Sequence, residues 1–295
     1  MRVAVTGASG LIGSALVADL LADGHEVLRL VRRPPTAPDE ARWDPTAGTI
    51  DEAALAGTRA VVHLAGAGIG DRRWTQARKT EILRSRVEGT GTLARAVARM
   101  DPQPQVLVSA SAVGYYGDTG GRPVDEHGPK GTGFASDVAQ AWEQAAEPAR
   151  VGGVRVVHPR SGLVMARRGG AWGRMLPLFR LGLGGPLGGG GQYWSYITLT
   201  DEVRGLRYLM ENDELSGPVN LTGPHAATNA EISAAMGHGL HRPAVLPVPA
   251  FALRAVLGEF ASEVLASIRV VPAELAAAGF TWQHPDLVAA VATVT

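Results

Sequence analysis

Two rhythms of apolar positions run through the first 160 residues. Short β-branched runs, Arg2–Thr6, Glu26–Val31, Ala60–Leu64, Val106–Ser109 and Val154–Val157, read as buried strands. Between them, stretches such as Leu11–Leu21 and Ile82–Met100 space their apolar residues as helices do. Strand and helix in alternation predict a parallel sheet with right-handed crossovers, a Rossmann-type doubly wound α/β fold.

Beyond about residue 165 the pattern loosens. Seven glycines fall within Gly182–Gly191, followed by a predicted strand at Tyr193–Thr198 and a helix at Asp201–Glu211. A short strand at Val219–Leu221 and a helix opening near Thr228 come next. Pro243, Pro247, Pro249 and Pro272 then punctuate an alanine-rich tail. The expected organisation is a nucleotide-binding domain over residues 1–165 and a smaller α/β lobe over residues 166–295. A strand and a helix of that lobe return to the first domain's core.

Composition narrows the class. In 295 residues, 28 basic side chains cancel 28 acidic ones, so charge gives no reason to expect a nucleic-acid partner. The absence of cysteine excludes disulfides, thiolate metal sites and a cysteine nucleophile. The eight histidines show no ligand spacing, and no metal is expected. No window holds the ~18 uncharged apolar residues of a membrane span. Met1-Arg2 runs directly into the first strand, so the expectation is a cytoplasmic protein with no membrane partner. The 38 glycines are about twice the average share of roughly 7%.

Part of that excess forms Thr6-Gly7-Ala8-Ser9-Gly10-Leu11-Ile12-Gly13, after a strand and opening a helix. Gly7 suits the tight turn, Gly10 the approach of a pyrophosphate, and Gly13 the close packing of helix on sheet. The diphosphate of a dinucleotide would sit on the free N–H groups at the helix start. The second strand ends Leu30-Val31-Arg32-Arg33, without the carboxylate that usually holds the ribose of NAD. Two guanidiniums there favour a 2′-phosphate, hence NADP(H) over NAD.

With these residues, His63-Leu64-Ala65-Gly66, Ser109-Ala110-Ser111, Tyr115-Tyr116-Gly117, Arg160 and Trp194–Asp201, the chain resembles the extended short-chain dehydrogenase/reductases. Arg73-Trp74-Thr75, Ser85-Arg86-Val87, Leu181–Gly188 and Leu240-His241-Arg242-Pro243 are similar to an atypical "epimerase family protein" subgroup. The resemblance covers nearly the whole chain. It implies that Leu64, Ala65, Gly66, Ser109 and Arg160 join Gly7, Ser9, Gly10, Leu11, Ile12, Gly13, Arg32 and Arg33 around the cofactor. By analogy, a homodimer would form through helices near Ile82–Met100 and Phe134–Ala149.

The resemblance also implies a Tyr-x-x-x-Lys pair, which this chain lacks. Its two lysines, Lys79 and Lys130, follow none of its five tyrosines at that spacing. Where the family places the pair, the sequence reads Phe134-Ala135-Ser136-Asp137-Val138. Phenylalanine moves no proton. Ser111 stands at the family's serine position, and Tyr115 or Tyr116 is the candidate replacement acid if a cation matches its pKa. The plainer reading packs the tyrosines under their loop and leaves Ser111 capping a strand end. The Gly182–Gly191 segment is either a wall of the substrate cleft or a surface connector. The expected function is an NADP(H)-dependent oxidoreductase or epimerase of atypical mechanism acting on a small molecule. The alternative is a non-catalytic NADP(H)-binding sensor or scaffold.

Overall fold

The computed structural model describes residues 1–295. The first half carries β1 (Arg2–Thr6), β2 (Glu26–Val31), β3 (Glu40–Asp44), β4 (Thr49–Ile50), β5 (Ala60–His63), β6 (Val106–Ser109) and β7 (Ser111–Ala112). The second carries β8 (Arg155–Ser161), β9 (Leu163–Met165), β10 (Tyr193–Trp194), β11 (Tyr196–Thr198), β12 (Gly217–Leu221) and β13 (Ala227–Thr228). The sheet runs β12-β8-β6-β5-β1-β2-β3-β4, with β7 added beside β8. All its pairings are parallel except β3 with β4. Strand order reverses direction at β1, the switch point where a crevice opens beyond the carboxyl ends of the strands.

Helices α1 (Leu11–Ala22), α2 (Gln76–Arg99), α3 (Phe134–Gln144) and α4 (Glu147–Val151) belong to the first half. The second contributes α5 (Gly170–Arg180), α6 (Leu199–Glu211) and α7 (Asn229–Gly239). Its tail adds the short α8 (Ala250–Leu257), α9 (Ala261–Leu265), α10 (Ala273–Ala277) and α11 (Leu287–Ala292). Alternate strand residues feed two cores. Val3, Val5, Val62 and Val108 pack with Leu16 and Leu20 of α1 and Leu206 and Leu209 of α6. Ala4, Val61 and Leu107 face the other way, onto Leu93 and Val97 of α2, Ala146 at the head of α4 and Ala149 within it. Both faces are buried, as a parallel sheet requires. A third core, around Met165, Trp172, Phe179, Ile232, Met236 and Val291, lies outside the sheet.

Local signals set the helix starts. Thr75 accepts the N–H of Arg78 at the head of α2, and Thr228 and Glu231 form a full capping box on α7. The strand predicted at Tyr193–Thr198 is divided: Tyr193 and Trp194 pair with β13, whereas Tyr196–Thr198 pair with β9. Strand β3 alternates buried Ala41 and Trp43 with Glu40, Arg42 and Asp44, so charge hides its strand character in the sequence.

One core carboxyl is out of place on burial grounds. Glu202, in the first turn of α6, is fully buried and its only partner is Ser161 Oγ at 2.6 Å. Burial pushes its pKa up to about 8 against the Ser161 bond, so the acid stays protonated at neutral pH. Folding therefore keeps a proton that the unfolded chain releases. The group's contribution to stability falls as pH rises from about 4.5 to about 8. Glu202→Gln keeps an acceptor for Ser161 and removes that slope. Urea unfolding should show the variant gaining on the parent above about pH 8 and losing the gain below about pH 5. Parallel pH profiles would show instead that Glu202 ionises as an ordinary carboxyl.

Candidate functional site

Sheet register places Thr6 beside His63, His63 beside Ser109, and Ser111 beside Arg160, along one carboxyl edge. The glycine turn rises from this edge. Gly7 has φ +67°, and an added Cβ would lie 2.8 Å from the Leu64 carbonyl carbon. A Cβ on Gly13 would lie 2.2 Å from Gly7 O, so α1 presses directly on the turn. Within α1 the first N–H to meet a main-chain acceptor is that of Ser14, which bonds Gly10 O at 2.9 Å. The N–H groups of Leu11, Ile12 and Gly13 point out of the helix start with its dipole behind them, a cradle that fits a diphosphate.

Thr6 ties the glycine turn to the β5 turn. Its hydroxyl accepts from Leu64 N at 3.1 Å and Ala65 N at 3.2 Å, and lies 2.7 Å from His63 Nδ1. With both lone pairs used, the hydroxyl proton goes to Nδ1, which puts the imidazole proton on Nε2. His63 is neutral, its pKa lowered to about 3 by burial and by the nearby Arg86. It packs edge-on against Trp43.

At the end of β2 the two arginines part company. Arg33 is held by both carboxylate oxygens of Glu40, with Thr36 completing the loop. Arg32 is exposed and makes no side-chain bond. The sequence pairs them as phosphate ligands, while the structure leaves Arg32 alone free to serve.

A buried network lies at the far end of the edge. Arg160 donates from Nε and Nη2 to the two oxygens of Glu143 at 2.8 and 2.9 Å, a bidentate pair between β8 and α3. Ser111 Oγ donates to the same Glu143 Oε1 at 2.7 Å. Arg160 Nη1 donates to Tyr116 Oη at 2.9 Å, and Tyr116 Oη donates to Asn220 Oδ1 at 2.7 Å. Burial lifts the Tyr116 phenol to about 12 although Arg160 pulls it down. Burial alone would also lower the Arg160 pKa; the Glu143 pair outweighs it and the net shift is upward.

The Arg160 guanidinium stacks 3.5 Å over the Tyr115 ring, and the Tyr115 hydroxyl has no protein partner. Glu126 closes the network from below, accepting from Asn220 N, Ala273 N and Glu274 N at the head of α10. Ser109 is fully buried and its hydroxyl is unbonded. Arg160, expected at the cofactor, therefore spends its donors inside the protein. Glu143 was missed by sequence reasoning; its one signal was an acid on the helix that replaces the family's Tyr-x-x-x-Lys helix.

Phe134 packs edge-on to Trp74, while Val138 joins Trp74, Ile82 and Ala135 in an apolar cluster. Neither lysine substitutes: Lys79 pairs with Glu259 at 2.7 Å and Lys130 with Asp137 at 2.6 Å. The Gly182–Gly191 segment is tied down, with Gly188 N to Val248 O at 2.8 Å, Val248 N to Pro186 O at 2.9 Å and Ala230 N to Gly190 O at 2.8 Å. Gly184, Gly185 and Leu187 wall a small apolar cavity with Trp172, Met175 and Trp194. No helix is long and apolar enough to cross a membrane, and no His, Asp or Glu cluster could hold a metal ion.

A parallel sheet reversing at a glycine turn, with a serine on the neighbouring strand end, defines an extended short-chain dehydrogenase/reductase fold. The chain belongs to the NAD dependent epimerase/dehydratase family, whose profile matches residues 3–221; residues 248–294 match a domain of unknown function, DUF1731. It is 48% identical over 283 residues to the epimerase family protein Mb2239 of Mycobacterium bovis, covering 96% of this chain and 93% of that one. The human epimerase family protein SDR39U1, solved with NADPH, superposes with a TM-score of 0.92 at 36% identity, covering 100% of this chain and 99% of that one. The UDP-glucose 4-epimerase of Thermus thermophilus shares the fold, with a TM-score of 0.75 at 21% identity over 100% and 99% of the chains.

The Arg160–Glu143 pair should dominate the stability of this region. Arg160→Met leaves the enclosed Glu143 carboxylate without its counter-charge and should cost about 3–5 kcal/mol in urea unfolding. A loss under about 1 kcal/mol would place the pair with ordinary surface ion pairs.

Proposed function

We propose that the protein is an NADP(H)-dependent oxidoreductase or epimerase in which Ser111 and Glu143 move the proton that the resemblance to the short-chain dehydrogenase/reductases assigns to a Tyr-x-x-x-Lys pair. The observation that carries this reading is the 2.7 Å bond from Ser111 Oγ to a Glu143 held on both oxygens by Arg160. NADP(H) is supported by exposed Arg32, by the absence of a carboxylate at the end of β2 and by the NADPH in the human relative. Leu11, Ile12 and Gly13 would hold the diphosphate, with Leu64, Ala65 and Gly66 alongside it. The substrate cleft lies between residues 1–165 and 166–295.

Once bound, the nicotinamide ring gives or takes a hydride. The protein's own part follows from the direction of the Ser111 hydrogen bond. Its O–H points to Glu143, so its lone pairs face the cleft and accept from a substrate hydroxyl. As the substrate O–H bond breaks, its proton passes to Ser111 Oγ and the Ser111 proton passes to Glu143. The hydride leaves the same carbon and a carbonyl forms; reduction runs these steps in reverse. Tyr115, with its free hydroxyl and the Arg160 cation on its face, orients the substrate oxygen. Tyr116 is a positioning residue that fixes Arg160.

A second reading, a non-catalytic NADP(H) sensor or scaffold, is favoured by the apolar packing of Phe134 and Val138. It predicts NADPH binding with no oxidation by any carbonyl in a broad panel.

Two measurements test the first reading. Ser111→Ala and Glu143→Gln should each lower hydride transfer by about 10²- to 10⁴-fold with NADPH affinity unchanged. Parental rates in both variants would remove Ser111 and Glu143 from the reaction. Arg32→Ala should weaken NADPH binding by roughly 10- to 100-fold and leave NADH binding as it was. Equal losses for both cofactors would mean that Arg32 does not read the 2′-phosphate.

A further inference from the structure

Arg86 is the one deeply buried arginine of the cleft without a carboxylate. It projects from α2 beneath the β5 turn, 9% exposed, with its Cζ 3.4 Å from where a Gly66 Cβ would be. Its Nη1 donates to Ala67 O at 2.9 Å and Ile82 O at 3.1 Å. The guanidinium stacks 4.7 Å from the centroid of Trp142, the residue next to Glu143 on α3. Its Nε and Nη2 have no hydrogen bond within the protein, yet neither is among the sealed, unpartnered buried atoms. The free donors therefore keep access to solvent beneath the β5 turn. The guanidinium carries its charge there, and three of its five N–H donors are left to water or to a ligand.

Nε–H and Nη2–H lie parallel on one edge of the guanidinium, the fork that takes two oxygens of one anion. Arg160 uses the same edge on Glu143 in the same cleft. For Arg86 the protein supplies no such acid. Its neighbour Arg78 is already engaged by Glu81 at 2.7 Å and by Gly68 O. A phosphate has a third oxygen that this two-donor edge leaves unserved. A carboxylate is satisfied by the fork alone.

We propose that the Nε/Nη2 edge of Arg86 is a carboxylate subsite, and that the molecule bound beside the cofactor is a small carboxylic acid. This names the substrate class of the cleft proposed above and rests on that placement. Trp142 acts as a platform for the guanidinium and holds the fork in plane.

The test is an equilibrium titration, which needs no turnover. Malonate, and separately inorganic phosphate, are titrated into the NADPH-loaded full chain while tryptophan emission is followed, with Trp142→Phe identifying the reporting side chain. Malonate should bind saturably. Arg86→Met, of similar length and apolar where it meets Trp142, should weaken it by roughly 10- to 100-fold, the loss expected for a charge-assisted bidentate pair. Arg86→Lys, a cation without a fork, should fall between, and Arg84→Ala, on the exposed face of α2, should bind as the parent does.

No saturable malonate binding, or binding unchanged in Arg86→Met, overturns the proposal. So does phosphate binding in preference to malonate, which would assign the fork to a phosphoryl group. A roughly tenfold loss of NADPH affinity in Arg86→Met without malonate binding by the parent would give the fork to the cofactor, and overturns it as well. Failure of Ser111 and Glu143 to support hydride transfer would leave this titration untouched, so the two ideas fail separately.

Discussion

The bidentate pair of Arg160 and Glu143 is the contact on which the cleft depends. Three elements meet there: β8 brings the guanidinium, α3 the carboxylate and β7 the Ser111 hydroxyl that shares one of its oxygens. Two enclosed charges would be a liability alone, because desolvation consumes much of their attraction. Here each nitrogen of Arg160 is engaged, by Glu143, Tyr116 Oη and Glu126 O, and the Tyr115 ring covers the guanidinium face. The network continues through Asn220 on β12 to Glu126 and the head of α10, so the second half of the chain is fastened to the sheet at the same place. Fixing Glu143 in this way also fixes which way the Ser111 proton points.

The two ends of the edge perform separate tasks. At the switch point, Thr6 joins the glycine turn to the β5 turn and bare N–H groups form an anion cradle. At the Ser111 end, a hydroxyl donates to an acid held on both oxygens, while Phe134 and Val138 pack in an apolar cluster. Arg86 lies under the β5 turn, beside the Trp142–Glu143 stretch of α3. One guanidinium, Arg160, is spent on the chain's own carboxylate, while Arg86 keeps Nε and Nη2 free of protein partners.

The sheet and its crossovers were legible because period-2 burial and helical spacing are local properties. The glycine turn was legible because its spacing encodes close backbone contacts. Strand β3 was not: three charged residues alternate with Ala41 and Trp43, and only sheet pairing turns that into a strand. Missing β3 also concealed the fate of Arg33, since Glu40 at the start of that strand is what occupies it. Ser111 stood out in the sequence by its place after a strand. Glu143 was not, because its importance comes from Arg160, seventeen residues on, folding back against it. Arg160 was assigned to the cofactor because a position in a family frame does not say what a guanidinium touches. The Gly182–Gly191 segment left two readings open, and the structure ties it to residues 246–248 and α7 as a cavity wall.

A crystal structure with NADPH bound would settle the role of Ser111 and Glu143 through the surroundings of the nicotinamide carbon that exchanges hydride. If Ser111 and Glu143 move the proton, this carbon faces Ser111 Oγ across a space for one substrate oxygen, with Ser111 still donating to Glu143 and Arg160 still holding both carboxylate oxygens. A nicotinamide ring turned away from Ser111, or a Glu143 released from Arg160 on binding, would contradict that role.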